Sequence, residues 1–203
     1  MAQNHEIAND WGWFPSLMDT PRHTDEVILM RDGQAYKATQ KQMMQADGQG
    51  WVWYVDSANT SSNKQSISSG VNTQLTIDKL GADTFTEYRD GLPADIWDSN
   101  TFKPQAVGES YLFRLQFMLS QSSSGSGKYA DVSIDIGDGG ENVIWDSTYS
   151  IIKGQGVDAF VSFTIPVFVR EGFYNNGAKF YIEANVDIDI WDRRIMIQRM
   201  SQP

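Results

Sequence analysis

Two histidines and a scatter of carboxylates are the side chains of this chain best suited to chemistry. The histidines are His5 and His23. Imidazole is the commonest general base because it changes charge near neutral pH. His5 lies in the polar run MAQNHEIAND and His23 beside a proline turn. Neither is close in sequence to a candidate nucleophile, so a Ser-His-Asp triad would have to borrow its base from the N-terminal arm. The G-x-S-x-G elbow is absent, and Ser122 stands where a phosphate loop ending in Gly127-Lys128 needs its leading glycine. Asp135, Asp138 and Glu141 surround a glycine turn, and Asp187, Asp189 and Asp192 follow one another along a strand. Oxygen ligands of this kind can hold calcium, but the EF-hand register is missing. They read as solvated turn and surface acids, with Asp192, Arg193 and Arg194 forming ion pairs at a subunit rim. The spacing of a glycosidase carboxylate pair is set by the fold and has no sequence signature here. There is no cysteine, so thiolate metal sites and disulfides are excluded. No catalytic residue, metal ligand or cofactor is assigned.

The balance of residues narrows the partners. Formal net charge is −10. Residues 1–50 hold four Lys/Arg against seven Asp/Glu, and residues 51–203 hold twelve against nineteen. Acidity spread over both parts argues against a nucleic-acid partner, which needs clustered cations. The start of the chain has neither the basic residues nor the apolar run of a signal peptide, and no stretch is apolar enough to span a bilayer. Membrane insertion is not expected. With 40% hydrophobic and 21% charged residues, the chain has a globular balance and can build a core without staples.

The elements that would position any site are strands. From Val157 to Val169 every odd residue is apolar, and from Ala178 to Ile190 every even residue is apolar. Period two gives one buried and one wet face. Asn176-Gly177 fits a tight hairpin turn between them, so the two runs read as paired antiparallel strands. Tyr111, Phe113, Leu115, Phe117 and Leu119 mark a central strand, and Ala130, Val132, Ile134 and Ile136 another. VIWD and YSII read as two short strands. DRRIMIQRM, residues 192–200, closes the chain as a last strand with Ile195 and Ile197 inward. Eight to ten strands in about 150 residues, without crossover helices, predict an all-β, two-sheet antiparallel jelly-roll sandwich over residues 51–203. Residues 1–50 form a separate unit, an N-terminal arm followed by a small β-hairpin and short helix. DEVILM and QAYKAT flank the Asp32-Gly33 turn, and Thr39 with Gln42 forms a capping box. Asp47 to Gly50 is the boundary.

Aromatic residues supply the candidate contacts. Trp11, Trp13 and Phe14 crowd the arm, and each large aromatic buries about 150–250 Å² when it packs. They either tuck under the chain's own core or anchor the arm in a partner. Phe160, Phe168, Tyr181 and Trp191 fall on faces that alternation assigns to solvent. That placement suggests a subunit interface, the alternative being cover by the loops at 57–70 or 81–100. Trp145 and Tyr149 could stack on a sugar, or simply cover the edge of the core.

Residues 101–119, TFKPQAVGESYLFRLQFML, resemble the part of tumour-necrosis-factor-like and complement-globular-head jelly rolls where a short strand, a proline and a glycine lead into an aromatic central strand. Phe102, Pro104, Gly108, Tyr111 and Phe113 carry the match. The module at 25–46 is similar to one found near the start of many tailed-phage fibre and virion proteins. Secretion signal and collagen-like stalk are lacking, and the last strand departs from the animal ending. The combination resembles a bacteriophage virion protein. That resemblance implies a homotrimer and contacts with other virion proteins of the capsid or tail. The leading expectation is a non-enzymatic knob on the virion exterior, serving capsid decoration or a short head fibre, with Trp11, Trp13 and Phe14 as anchors. The alternatives are a tail-fibre knob that binds a host surface glycan and, third, a carbohydrate-active enzyme.

Overall fold

Apolar alternation along residues 110–121 produces the strand around which one sheet is built. This computed structural model describes residues 26–31, 34–39, 50–89, 91–122, 127–136, 142–151 and 154–202. The chain divides into two compact units, Met1–Met43 and Met44–Pro203. In the first, β1 (Glu26–Arg31) pairs antiparallel with β2 (Gln34–Thr39). Arg31 faces Gln34, so only Asp32 and Gly33 join the strands, the connection length of a two-residue hairpin. The capping box and short helix expected after Thr39 lie outside the described residues.

The second unit contains β3 (Trp51–Val55), β4 (Gln65–Ile67), β5 (Thr73–Gln74), β6 (Trp97–Asp98), β7 (Thr101–Phe102), β8 (Ser110–Gln121), β9 (Tyr129–Asp135), β10 (Val143–Ser150), β11 (Ala159–Phe168), a one-turn helix α1 (Glu171–Asn176), β12 (Lys179–Ala184) and β13 (Ile188–Ser201). One sheet has the order β11-β8-β13-β3, with β4 also paired to β13. The other has the order β10-β9-β12-β5. Setting aside β4 and the small β6–β7 hairpin leaves eight strands. Numbered in chain order, their two sheets run 1-8-3-6 and 2-7-4-5. Strands one and eight pair, as do two and seven, three and six, and four and five. This nested pairing is the jelly roll, and it establishes the expected all-β antiparallel sandwich.

The inward faces match the alternation. Tyr111, Phe113, Leu115, Phe117 and Leu119 are buried from one sheet, and Ala130, Val132, Ile134, Phe180, Ile182 and Ala184 from the other. Phe102 binds the layers together, meeting Tyr111 and Phe113 edge-on at 4.8 Å. Phe113 in turn meets Phe180 of the opposite sheet at 5.3 Å. Such aromatic pairs contribute about 0.5–1.5 kcal/mol each beyond simple burial.

Pairing differs from expectation in three places. The runs 157–169 and 178–190 share a core but do not pair with each other. β11 pairs with β8, whereas β12 lies in the other sheet between β9 and β5. The link is therefore a crossing between sheets. Its turn residues wind into α1, whose Phe173 is buried and which ends at Gly177. VIWD and YSII form one continuous strand, β10. The final strand starts at Ile188, and its register against β8 shifts between Trp191 and Arg194. Asp192 there has φ of 50°. One extra residue is accommodated at this bulge, and the inward positions change from even to odd.

Candidate interaction surface

The bulge in β13 governs the most heavily supported part of the molecule. Beyond it, Arg193, Ile195, Ile197 and Arg199 all point inward and are buried, so two arginines bracket the apolar row. Each is met by a carboxylate from a strand boundary. Arg193 donates from Nη2 at 2.6 Å and from Nε at 3.1 Å to Oδ2 of Asp56, and both side chains are about 1% exposed. It also donates to the Gln65 side-chain oxygen and to Thr76. Asp56 accepts further bonds from the backbone and side-chain nitrogens of Asn59 and from the Asp78 amide. At the other end Arg199 Nη1 lies 2.8 Å from Oε1 of Glu109 and donates to Gln105, while its Nη2 donates to the Gly91 carbonyl. Glu109 Oε2 accepts from the Gln105 and Ala106 amides and the Tyr111 hydroxyl. Buried charges are tolerated when paired and fully hydrogen-bonded in this way. The expectation that Arg193 forms ion pairs at an exposed rim is therefore corrected: the bulge turns it into the interior.

Burial, together with the bond to Glu109, pushes the Tyr111 hydroxyl well above its ordinary pKa. A raised folded-state pKa gives stability that is complete below about pH 10, the unfolded value, and lost as pH rises through the folded value. The native protein should lose about 1.4 kcal/mol between pH 9 and pH 11 from this group. Tyr111→Phe should remove that part of the slope, as read from urea midpoints at the two pH values.

The outer face of the β11-β8-β13-β3 sheet is the candidate surface. Phe160 and Phe168 stand near the ends of β11, 55% and 57% exposed. Among the described residues β11 pairs only with β8, which leaves its far side without a strand partner there. Pro166 within it provides no N–H to that edge or to the ladder, a common way to discourage strand addition. The surface therefore offers side chains for contact in preference to backbone. Phe160, Met118 and Trp191 form a row across the three strands.

Tyr181 and Trp191 are not exposed alongside them. Tyr181 is 8% exposed, on a strand held between Gln74 and Ser133. Trp191 is 2% exposed, and the Lys64 ammonium sits 3.6 Å from its ring centre. Lys64 belongs to the loop at 57–70, so Trp191 has the intramolecular cover that stood as the alternative. Of the four interface candidates, Phe160 and Phe168 remain accessible. Trp11, Trp13 and Phe14 lie outside the described residues, as do His5 and His23. On β3, Trp51 is half-buried and stacks on Phe85 and Tyr88, each at 5.4 Å. The loop at 81–89 thus covers part of this outer face. Trp145 is half-buried and meets Phe163 edge-on at 6.0 Å, and Tyr149 also packs against the core.

The acids, expected as solvated turn and surface groups, differ in their surroundings, and for Asp135 that expectation is corrected, since its place on the inner end of β9 buries it. Asp187 accepts from the Ser69 amide and Asp189 from the Ser66 hydroxyl, so both brace the preceding loop. Asp135 is buried, while Asp138 and Glu141 lie outside the described residues. No group of three or more potential metal ligands occurs among the described residues. Among them, too, no helix is long and apolar enough to cross a membrane.

No protein-family model matches the chain, and no curated protein matches it. Solved structures do. The Eiger TNF of S. frugiperda is 9% identical, with a TM-score of 0.44, over 76% of this chain and 94% of that one. The VP2 subviral particle of infectious bursal disease virus is 11% identical, with a TM-score of 0.42, over 88% of this chain and 38% of that one. A pentameric capsid protein from metagenomic phage sequences is 11% identical, with a TM-score of 0.31, over 97% and 90%. Likeness at this level leaves the strand order to carry the fold.

Proposed function

We propose that this chain is a non-enzymatic structural protein of a bacteriophage particle, a homotrimeric jelly-roll knob on the virion exterior that acts as capsid decoration or a short head fibre. Residues 1–50 attach it to other virion proteins, with Trp11, Trp13 and Phe14 as the anchors. The observation that supports the reading most directly is the exposure of Phe160 and Phe168 on one outer sheet face. Two large aromatics left in water on the same strand suit burial between subunits. The β11 edge beside them, unpaired among the described residues, carries a proline, which favours association through the face. The buried ion pairs fit a rigid body that must hold its shape.

The oligomer is tested first. Light scattering should give three times the chain mass, and Phe168→Asp should reduce it to one. A trimer that persists in Phe168→Asp removes that residue from the interface. Labelled protein should then locate on the shell of intact particles. Signal at the tail tip, with binding of the knob to host cells, would replace decoration by glycan recognition.

A further inference from the structure

On a chain of net charge −10, the outward strand positions in the exposed half of the candidate surface hold no acid, and Asp158, just before β11, is paired with Lys64 at 3.9 Å. The outward residues are Ser110, Leu112, Arg114, Gln116 and Met118 on β8, and Phe160, Ser162, Thr164, Pro166 and Phe168 on β11. Past the bulge, β13 adds Arg194, Met196 and Gln198. These outward positions hold two arginines and no carboxylate. Both cations lack their usual partners. The Arg114 side chain is exposed and makes no ion pair or hydrogen bond among the described residues, its backbone alone being held in the ladder. The Nε of Arg194 is buried without an acceptor. The two are diagonal neighbours, since Arg114 faces Met196 while Gln116 faces Arg194, a spacing of about 7–8 Å with the Cβ atoms somewhat closer. Guanidinium groups bind carboxylates through paired N–H donors. Elsewhere in this chain the buried arginines, Arg193 and Arg199, each have such an acid.

We propose that Arg114 and Arg194 receive a carboxylate of a second copy of this chain, docked on the face between Phe160 and Phe168. Charge complementarity selects the occupant. With 26 Asp/Glu against 16 Lys/Arg, the surface of another copy is rich in acids, including the exposed Asp146 and Glu183. The aromatic residues at either end exclude water, and the arginine pair fixes where the partner sits. Opposite charges across an interface set register and suppress wrong partners. The inference rests on the trimer reading and adds to it the chemistry of the contact.

The test uses the full chain. Arg114→Lys keeps the charge and supplies an amine that a carbodiimide couples directly to a touching carboxylate. Mass spectrometry should find an interchain link from position 114 to an Asp or Glu of a second copy. Sedimentation should show the association of the native chain weakening with salt, and Arg114→Glu should weaken it at least about tenfold. Arg114 is exposed, so the variant should fold, as circular dichroism would verify. An oligomer that forms without this cross-link and is unmoved by Arg114→Glu would overturn the arginine contact while leaving the trimer in place. A native chain that stays monomeric at every concentration would overturn both. A link from position 114 to a different virion protein in intact particles, in place of a second copy, would also overturn the proposal.

Discussion

Asp56→Ala is expected to lower the stability of the sandwich by about 3–5 kcal/mol, since it leaves the Arg193 guanidinium buried without its counter-charge. That is a large share of the roughly 5–15 kcal/mol that holds a typical domain folded. The loss extends beyond one pair. Asp56 also accepts bonds from Asn59 and from the Asp78 amide, so the loop leaving β3 loses its anchor together with β13. Urea unfolding followed by tryptophan fluorescence measures the change. The double variant Asp56→Leu with Arg193→Met should recover most of the loss, because removing both charges also removes the cost of desolvating them. A single variant within about 1 kcal/mol of the native protein would show that water reaches Arg193 and solvates it.

Gly177→Ala should cost at least about 2 kcal/mol, from two separable causes. Gly177 has φ of 71° and ψ of −165°, a region in which side chains are strongly disfavoured. A Cβ there would also lie 2.6 Å from the Phe102 carbonyl oxygen. That oxygen accepts the Ala178 amide hydrogen at 2.9 Å, and the Phe102 amide returns a bond to Ala178 at 2.8 Å. Relieving the clash would pull this bridge apart and disturb Phe102 at the centre of the core. Gly156 is the control. Its φ is also 71°, and a Cβ added there would meet nothing within 4 Å. Gly156→Ala should show the conformational cost alone, about 1–2 kcal/mol. Equal losses at the two sites would mean that the close approach at Gly177 costs nothing.

The inward faces were legible in the sequence because alternation is imposed by the backbone itself. Phe113, Val132, Ile165 and Ile182 are buried as their positions require. Strand partners were less legible, because period two says which face a residue takes and nothing about its neighbouring strand. That is why two runs joined by Asn176-Gly177 resemble a hairpin yet enter opposite sheets. The bulge did leave a trace. Ile188 and Ile190 are inward at even positions and Ile195 and Ile197 at odd ones, so one residue must be absorbed between them. Following that change of phase places Arg193 and Arg199 inside, next to the two isoleucines. Their partners, Asp56 and Glu109, lie 137 and 90 residues away in sequence and are brought close only by the topology. Trp191 illustrates a different limit. An outward position on a strand is exposed only where no loop lies over it, and alternation does not reveal loop paths.

The position of β13 bears on how the chain becomes a folded protein during synthesis. Within the sandwich it leaves the ribosome last, yet it lies in the middle of its sheet, paired with β3, β4 and β8. Until it arrives, β8 and β3 have no strand between them, and Asp56 and Glu109 have no arginines. The sandwich therefore cannot assemble vectorially from its N-terminal side. β3, β4 and one edge of β8 must wait for their partner, and folding then closes contacts of long sequence separation, which is slow and leaves strand edges open to aggregation. A nascent chain arrested before residue 188 should remain sensitive to protease, and resistance should appear in one step once β13 has cleared the exit tunnel.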